Sequence, residues 1–406
     1  MKLPRRVTKR LGWLICLLLM ACAVPPTASP TASVAPSRTP ESSVATRLPQ
    51  APESLYHPAA DAVARAKPGE LIDAVELLAP AGMRAWTVLY GSIGLDGAPI
   101  AVSGMVLAPA DPPTAGGYPV VAWAHGTTGI ADFCAPSRAG GGALGELQIL
   151  TQGGYVVTAT DYEGLGTDGT HPYLIGVSEG RSVLDSIRAV QNLAAAHASD
   201  EAVVVGLSQG GHAALWAGQL APTYAPELHL SGAMAGSPPT DMAAWASWTV
   251  DAAASGEIYT TYAPILLYGV WSEAYRLPMP FLTDTAQTIA AASRDGCDPS
   301  GLTVDPYVTD PASDPDWRAR LVENSPGAAL TTVPFLVLSP DDDQLVLYAS
   351  QTSGVNAMCA IGDSVELRTV HGGHGASFAP EALQVIQGWI AARLAGAAPI
   401  STCPSA

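Results

Sequence analysis

Ala202-Val203-Val204-Val205-Gly206-Leu207-Ser208-Gln209-Gly210-Gly211-His212-Ala213-Ala214-Leu215 is the stretch from which the fold is read. Residues 202–205 are apolar and mostly β-branched, the composition of a strand buried on both faces. Residues 211–221 are small and apolar and predict a helix. Between them lies Gly-x-Ser-x-Gly, a strand-to-helix turn that exposes the serine hydroxyl at the strand end. Gly206 and Gly210 bring no Cβ to a turn where backbone must approach backbone. The five letters alone are weakly specific, because glycine supplies 40 of 406 residues. The partner residues carry the rest of the reading.

A serine hydroxyl needs a neighbouring base to become a nucleophile. A base should follow a late strand, and His371-Gly372-Gly373-His374-Gly375 follows the expected strand 365–370. His374, with glycine on both sides, is the expected base, and His371 is the alternative. The acid should follow the preceding strand. Pro334-Phe335-Leu336-Val337-Leu338-Ser339 leads into Pro340-Asp341-Asp342-Asp343. Three consecutive aspartates cannot all face one imidazole. Asp343 is the expected acid and Asp342 the alternative. The chain order Ser208, Asp343, His374 is that of α/β-hydrolases. The base would accept the serine proton, and the acid would fix its tautomer. Two backbone N–H groups should hold the oxyanion. These are expected from Gln209 and from Thr127, in the loop His125-Gly126-Thr127-Thr128-Gly129 after the strand 118–124. His125 reads as a residue that positions that loop. Tyr162 reads as a pocket-lining residue and His212 as packed.

Further strands are expected at 86–90, 100–107, 155–160, 230–235 and 333–339, and helices at 177–197 and 380–394. Strands alternating with helices predict an α/β fold, with a mostly parallel central sheet flanked by helices. Between Pro238 and Pro326 the rhythm changes to Ala-rich and Pro-rich pieces containing Trp245, Trp248, Tyr268, Trp271 and Trp317. A connection this long is not needed to join two strands. It is expected to be a helical cap over residues 239–326, inserted between core segments 53–238 and 327–406.

Residues 1–21 carry five cationic side chains and then an apolar stretch, the pattern of a signal peptide. Leu19-Met20-Ala21-Cys22 is similar to a bacterial lipobox, so Cys22 is the expected lipidation site. Residues 22–52, rich in Pro, Ser, Thr and Ala, would then be a flexible tether lifting the domain off a membrane. The formal charge is −17, which becomes −22 without the leader, and Lys67 would be the only lysine left. Nucleic acid is excluded as a partner, because phosphate neutralisation needs clustered cations. Cys134, Cys297, Cys359 and Cys403 form an even set that reads as two disulfides. No cysteine spacing fits zinc. Asp161 and Glu163 are too few ligands to argue for a metal, and no cofactor is expected.

The runs His125-Gly126-Thr127-Thr128-Gly129 with Cys134-Ala135-Pro136-Ser137, Asp161-Tyr162-Glu163-Gly164-Leu165-Gly166-Thr167 with Gly169-Thr170-His171-Pro172-Tyr173, and Gly206-Leu207-Ser208-Gln209-Gly210-Gly211 together resemble the secretory lipase family. Pro68-Gly69-Glu70-Leu71-Ile72 is similar too, and the resemblance spans residues 53–400. It implies an α/β-hydrolase with a cap before the acid, acting on acylglycerols or other carboxylic esters. It also implies the disulfide pairs Cys134–Cys297 and Cys359–Cys403. The lipoprotein-like N-terminus and the aspartate triplet depart from the family pattern. A serine peptidase or acyltransferase on the same fold, and a non-catalytic lipid-anchored binding protein, are the competing functions.

Overall fold

The computed structural model describes residues 48–404, apart from 114, 294, 295 and 298–301. The expected leader, Cys22 and most of the expected tether lie outside the described residues. Leu48 does not belong to a free tether. Its amide and carbonyl pair with Glu76 and Leu78, and Ala51 is buried. Chain pairing therefore starts before the expected boundary at residue 53.

Among the described residues nine strands form one sheet in the order β1-β2-β3-β5-β4-β6-β7-β8-β9. They are β1 (Leu71–Leu77), β2 (Met83–Ile93), β3 (Pro99–Pro109), β4 (Tyr118–Ala124), β5 (Val156–Thr160), β6 (Ala198–Leu207), β7 (His229–Gly236), β8 (Phe335–Pro340) and β9 (Val365–Val370). The first three strands and β5 pair antiparallel. From β5 through β4 to β9 every pairing is parallel. The helices are α1 (Ala60–Arg65), α2 (Leu144–Leu150), α3 (Gly176–Asn192), α4 (Gln209–Tyr224), α5 (Met242–Ala254), α6 (Tyr262–Ala274), α7 (Asp284–Ala292), α8 (Pro315–Glu323), α9 (Tyr348–Ala360) and α10 (Pro380–Leu394).

Each parallel strand is buried on both faces, which is why its sequence runs apolar rather than alternating. Val120, Ala122 and Val204 face one core with Val183, Leu184, Ile187 and Val190 of α3 and the small residues of α4. Val121, Trp123, Val203 and Val205 face the other, with Leu147 of α2 and Ile386 and Trp389 of α10. Because the strands run the same way, the residues after β4, β6, β8 and β9 emerge at one edge of the sheet.

Helices α5 to α8 lie between β7 and β8 and share a core of their own. Trp271 stacks parallel on Trp317 with ring centroids 6.5 Å apart, and Tyr268 and Phe281 meet Trp317 edge-on. This core takes in Tyr173, Leu174 and Ile175 before α3 and Val346 after β8. Cys134–Cys297 ties the loop after β4 to the segment after α7, and Cys359–Cys403 ties α9 to the C-terminal tail. Among the described residues no helix is long and apolar enough to cross a membrane.

Candidate active site

Ser208 sits between β6 and α4 with φ 58° and ψ −118°. Such a conformation is strained for a residue with a Cβ and costs roughly 1–3 kcal/mol. The surroundings hold it there. The Ser208 N–H donates to Gly236 O (2.8 Å), and the His212 N–H donates to Ser208 O (3.0 Å). The flanking glycines are demanded by backbone contact. A Cβ on Gly206 would lie 2.0 Å from the Gly210 oxygen, and one on Gly210 would lie 1.8 Å from the Ala124 oxygen. The elbow is therefore locked against β4 as well as against its own helix.

His374 opens a short turn, His374–Phe378, after β9. Its Nδ1 lies 2.9 Å from both carboxylate oxygens of Asp343. The Asp343 side chain is fully buried and also accepts the Leu345 and Val346 N–H groups and Gln351 Nε2. Four donors around one carboxylate fix its position. The other aspartates point elsewhere. Asp341 pairs with His371 (2.6 Å), and the His371 side chain is 94% exposed. That histidine holds the Asp341 carboxyl below the usual range. Asp342 is exposed and uses its backbone N–H on Gly372 O. The two loops thus make two His–Asp pairs, one buried and one in solvent.

The buried pair lies beside the elbow. The Ser237 hydroxyl donates to the His374 carbonyl (2.7 Å), and Ser237 directly follows Gly236, which holds the Ser208 amide. Thr127 and Gln209 flank the same point. A Cβ on Gly126 would be 3.8 Å from the Ser208 Cβ. The Thr127 hydroxyl and the Tyr173 hydroxyl are hydrogen-bonded (2.6 Å), which fixes the loop. Gln209 is the first residue of α4, where backbone N–H groups have no helical partner.

The remaining polar residues act from behind. His125 is buried, with Nδ1 2.6 Å from its neighbour Gly126 O, and burial pushes its pKa down. Tyr162 does not line a pocket. It is fully buried with φ 70°, and its hydroxyl donates to His125 O (2.9 Å). Asp161 accepts the Ser103 hydroxyl and the Ser137 N–H. Glu163 accepts the Leu95 N–H and the Ser178 hydroxyl. Among the described residues no three His, Cys, Asp or Glu side chains are grouped to hold a metal.

Sequence reasoning missed the centre of this support, Glu179. It is fully buried and accepts the Leu174 N–H, Gln209 Nε2 and His212 Nδ1. His212 Nε2 lies 2.8 Å from Asn324 O, just beyond α8. The signal was present: Glu179 falls four residues before Val183, on the apolar face of α3. His171 completes the set. Its Nδ1–H donates to Glu163 O (2.9 Å), so its Nε2 accepts from Gln209 Nε2 (2.9 Å). Burial lowers its pKa to about 4 and keeps the ring neutral.

A cavity of about 570 Å³ adjoins the site, and Gly126, Thr127, Leu207 and Phe378 contribute to its wall. Among the described residues of 239–326 none lines it. The excursion between β4 and α2 supplies Phe133, Ala139 and Ala143 to the wall.

The secretory lipase family model matches residues 146–287. Lipase A of Moesziomyces aphidis is 39% identical over 88 residues, covering 22% of this chain and 18% of that protein. Lipase A of Arthroderma benhamiae is 29% identical over 309 residues, covering 65% and 61%. A probable inactive lipase of Mycobacterium tuberculosis is 26% identical over 373 residues, covering 85% and 81%. The chain thus spans less than two thirds of the length of the first two relatives. Among solved structures, Candida antarctica lipase A in its closed state superposes with a TM-score of 0.70 at 20% identity, covering 86% of this chain and 87% of that one. The rice cell wall degrading esterase of Xanthomonas oryzae gives 0.61 at 21% identity, covering 81% and 97%. These neighbours share the α/β-hydrolase fold, and over residues 146–287 the chain is similar to secretory lipases.

Proposed function

We propose that the protein is an exported serine hydrolase that cleaves carboxylic esters, acylglycerols included, through an acyl-enzyme intermediate. The observation that carries the reading is the buried Asp343 carboxylate gripping His374 Nδ1 beside the Ser208 elbow. With Nδ1–H donated to Asp343, His374 Nε2 is the free acceptor. It takes the Ser208 proton as the hydroxyl oxygen attacks the ester carbonyl carbon. The Thr127 and Gln209 N–H groups receive the oxyanion, a contribution of roughly a hundred- to a thousand-fold each. Protonated His374 then donates to the departing alcohol. Water, deprotonated by the same Nε2, attacks the acyl carbon and releases the acid and Ser208. No metal or cofactor takes part in this sequence. The likeness to proteins described as lipases and to an esterase supports the same reaction class.

Hydrolysis of 4-nitrophenyl butyrate tests the reading. The wild type is expected to turn it over, and Ser208→Ala to lower kcat by roughly 10⁵-fold or more. Equal turnover by the two proteins would contradict it. The second reading, a binding protein without activity, draws on the Mycobacterium tuberculosis relative described as a probable inactive lipase. It requires the wild type to be inert on every ester. Export, with a lipid anchor at Cys22, is part of the proposal and rests on sequence pattern alone.

A further inference from the structure

A cleft of about 340 Å³ lies where α10 passes β9, the last strand of the sheet, and the tail after α10 folds back beside it. None of Ser208, Asp343 and His374 lines it. Arg393 does, at 6% exposure. A guanidinium keeps its charge at any ordinary pH and offers five N–H donors. Here Nη2 donates to the Ala398 carbonyl (2.9 Å), and the enclosed Nε has no partner. Among the described residues no carboxylate pairs with Arg393, and Glu366 in the same wall is held by Arg368 Nε (2.7 Å) and Nη2 (2.5 Å). Two arginines and one carboxylate therefore face the cleft, in a chain with 36 acidic side chains and 19 basic ones. A buried charge without a counter-charge is costly. The remaining wall is mostly apolar. Val385, Gly388, Trp389 and Ala392 lie three or four residues apart on one face of α10. Gly388 is the gap in that face. Glycine weakens a helix interior relative to alanine, yet a Cβ added at 388 would meet nothing within 4 Å. Neither packing nor a turn demands glycine there, and its missing side chain leaves the cleft open.

We infer that this cleft is a binding site for a hydrocarbon carboxylate, with the anion on Arg393 and the chain against Val385, Trp389 and Ile400. Each part of the wall selects a part of the ligand. The arginine left without a counter-charge selects a monoanion, and a planar guanidinium matches a carboxylate with two parallel N–H bonds. The apolar residues select a hydrocarbon body over a bare inorganic ion. The volume lies at the lower end of small-molecule sites, which suits a medium-length chain. Cys359–Cys403 anchors the tail beyond Ile400, and the Thr402 N–H donates to Val365 O (2.9 Å), so the tail side of the cleft is fixed in place. The inference goes beyond the ester-hydrolase reading and does not depend on it.

Isothermal titration of the full chain with sodium octanoate below its micelle concentration tests the assignment. 1-Octanol supplies the same chain without the charge, and inorganic phosphate supplies an anion without the chain. Arg393→Gln removes the guanidinium. Gly388→Trp fills the cleft from a position where an added Cβ meets no neighbour, so it keeps the test decisive should the loss of a buried arginine unfold the protein. Urea midpoints report the folding of both variants. Octanoate is expected to bind the wild type at one site, roughly tenfold or more tighter than octanol or phosphate. Arg393→Gln and Gly388→Trp should each weaken it by roughly tenfold or more. A wild type that binds no octanoate, or that binds octanol or phosphate equally well, would overturn the assignment. So would a folded Arg393→Gln or Gly388→Trp that binds octanoate like the wild type, since the fatty acid would then sit elsewhere, the Ser208 site included.

Discussion

Three adjacent aspartates end in three environments, and the difference is burial. Asp343 is enclosed and gripped by four donors, whereas Asp341 meets a solvent-exposed histidine. Asp343→Asn should therefore lower kcat by roughly 10⁴-fold by spoiling the imidazole tautomer. Asp341→Ala and Asp342→Ala should stay within a few-fold, because an exposed ion pair contributes little. Steady-state kinetics on one ester checks all three. The order of the residues was legible in the sequence, but the choice within the triplet was not, since it depends on which side chain the turn after β8 folds inward. His171 carries a pH effect. Its folded pKa, about 4, lies below the ordinary 6.5. Between those values the unfolded chain binds a proton that the folded chain refuses. Stability is thus complete above pH 6.5 and falls as the pH drops towards 4, by roughly 3 kcal/mol from this group. Urea unfolding at pH 7 and 4.5 measures the slope, and His171→Gln should flatten it.

At the scale of elements, the elbow was legible because glycine, β-branched residues and a serine occur in a fixed order. The contact that needs Gly210 was not, since the Ala124 oxygen belongs to β4, more than eighty residues upstream. Gly210→Ala should destabilise the fold by several kcal/mol, because backbone rather than a flexible side chain must move. The expected helix 177–197 ends at Asn192. A short turn of alanines and a left-handed His197 then redirect the chain into β6, overriding alanine's helix propensity. Strand β1 went unread, because Asp73 and Glu76 break the alternation of a half-exposed edge strand. The disulfides differ in span: Cys134–Cys297 closes 163 residues and Cys359–Cys403 closes 44. Chain entropy assigns about 5 kcal/mol to the first and about 4 to the second. Replacing Cys134 and Cys297 by Ser should therefore lower the urea midpoint more than replacing Cys359 and Cys403. It should also loosen the cavity wall that carries Phe133.

Across the whole molecule, the sheet gathers residues from four strand ends into one site, and the inserted helices form a second core beside it. That these helices fold together was legible in their tryptophans. That the cavity next to Ser208 is walled by the β4–α2 excursion was not, because Gly-rich residues 139–145 give no periodic signal. The proposal puts the domain outside the cell and against a membrane through a lipid anchor at Cys22. Metabolic labelling with palmitate in a bacterial host should mark the wild type, and Cys22→Ala should abolish both the label and membrane retention. The claim on which everything else depends is that Ser208 is the nucleophile. Mass spectrometry of the protein treated with a fluorophosphonate measures it directly. The account predicts one adduct, on Ser208, lost in Ser208→Ala and slowed at least a thousandfold in Asp343→Asn. An unmodified Ser208, or an adduct that persists in Ser208→Ala, would contradict it.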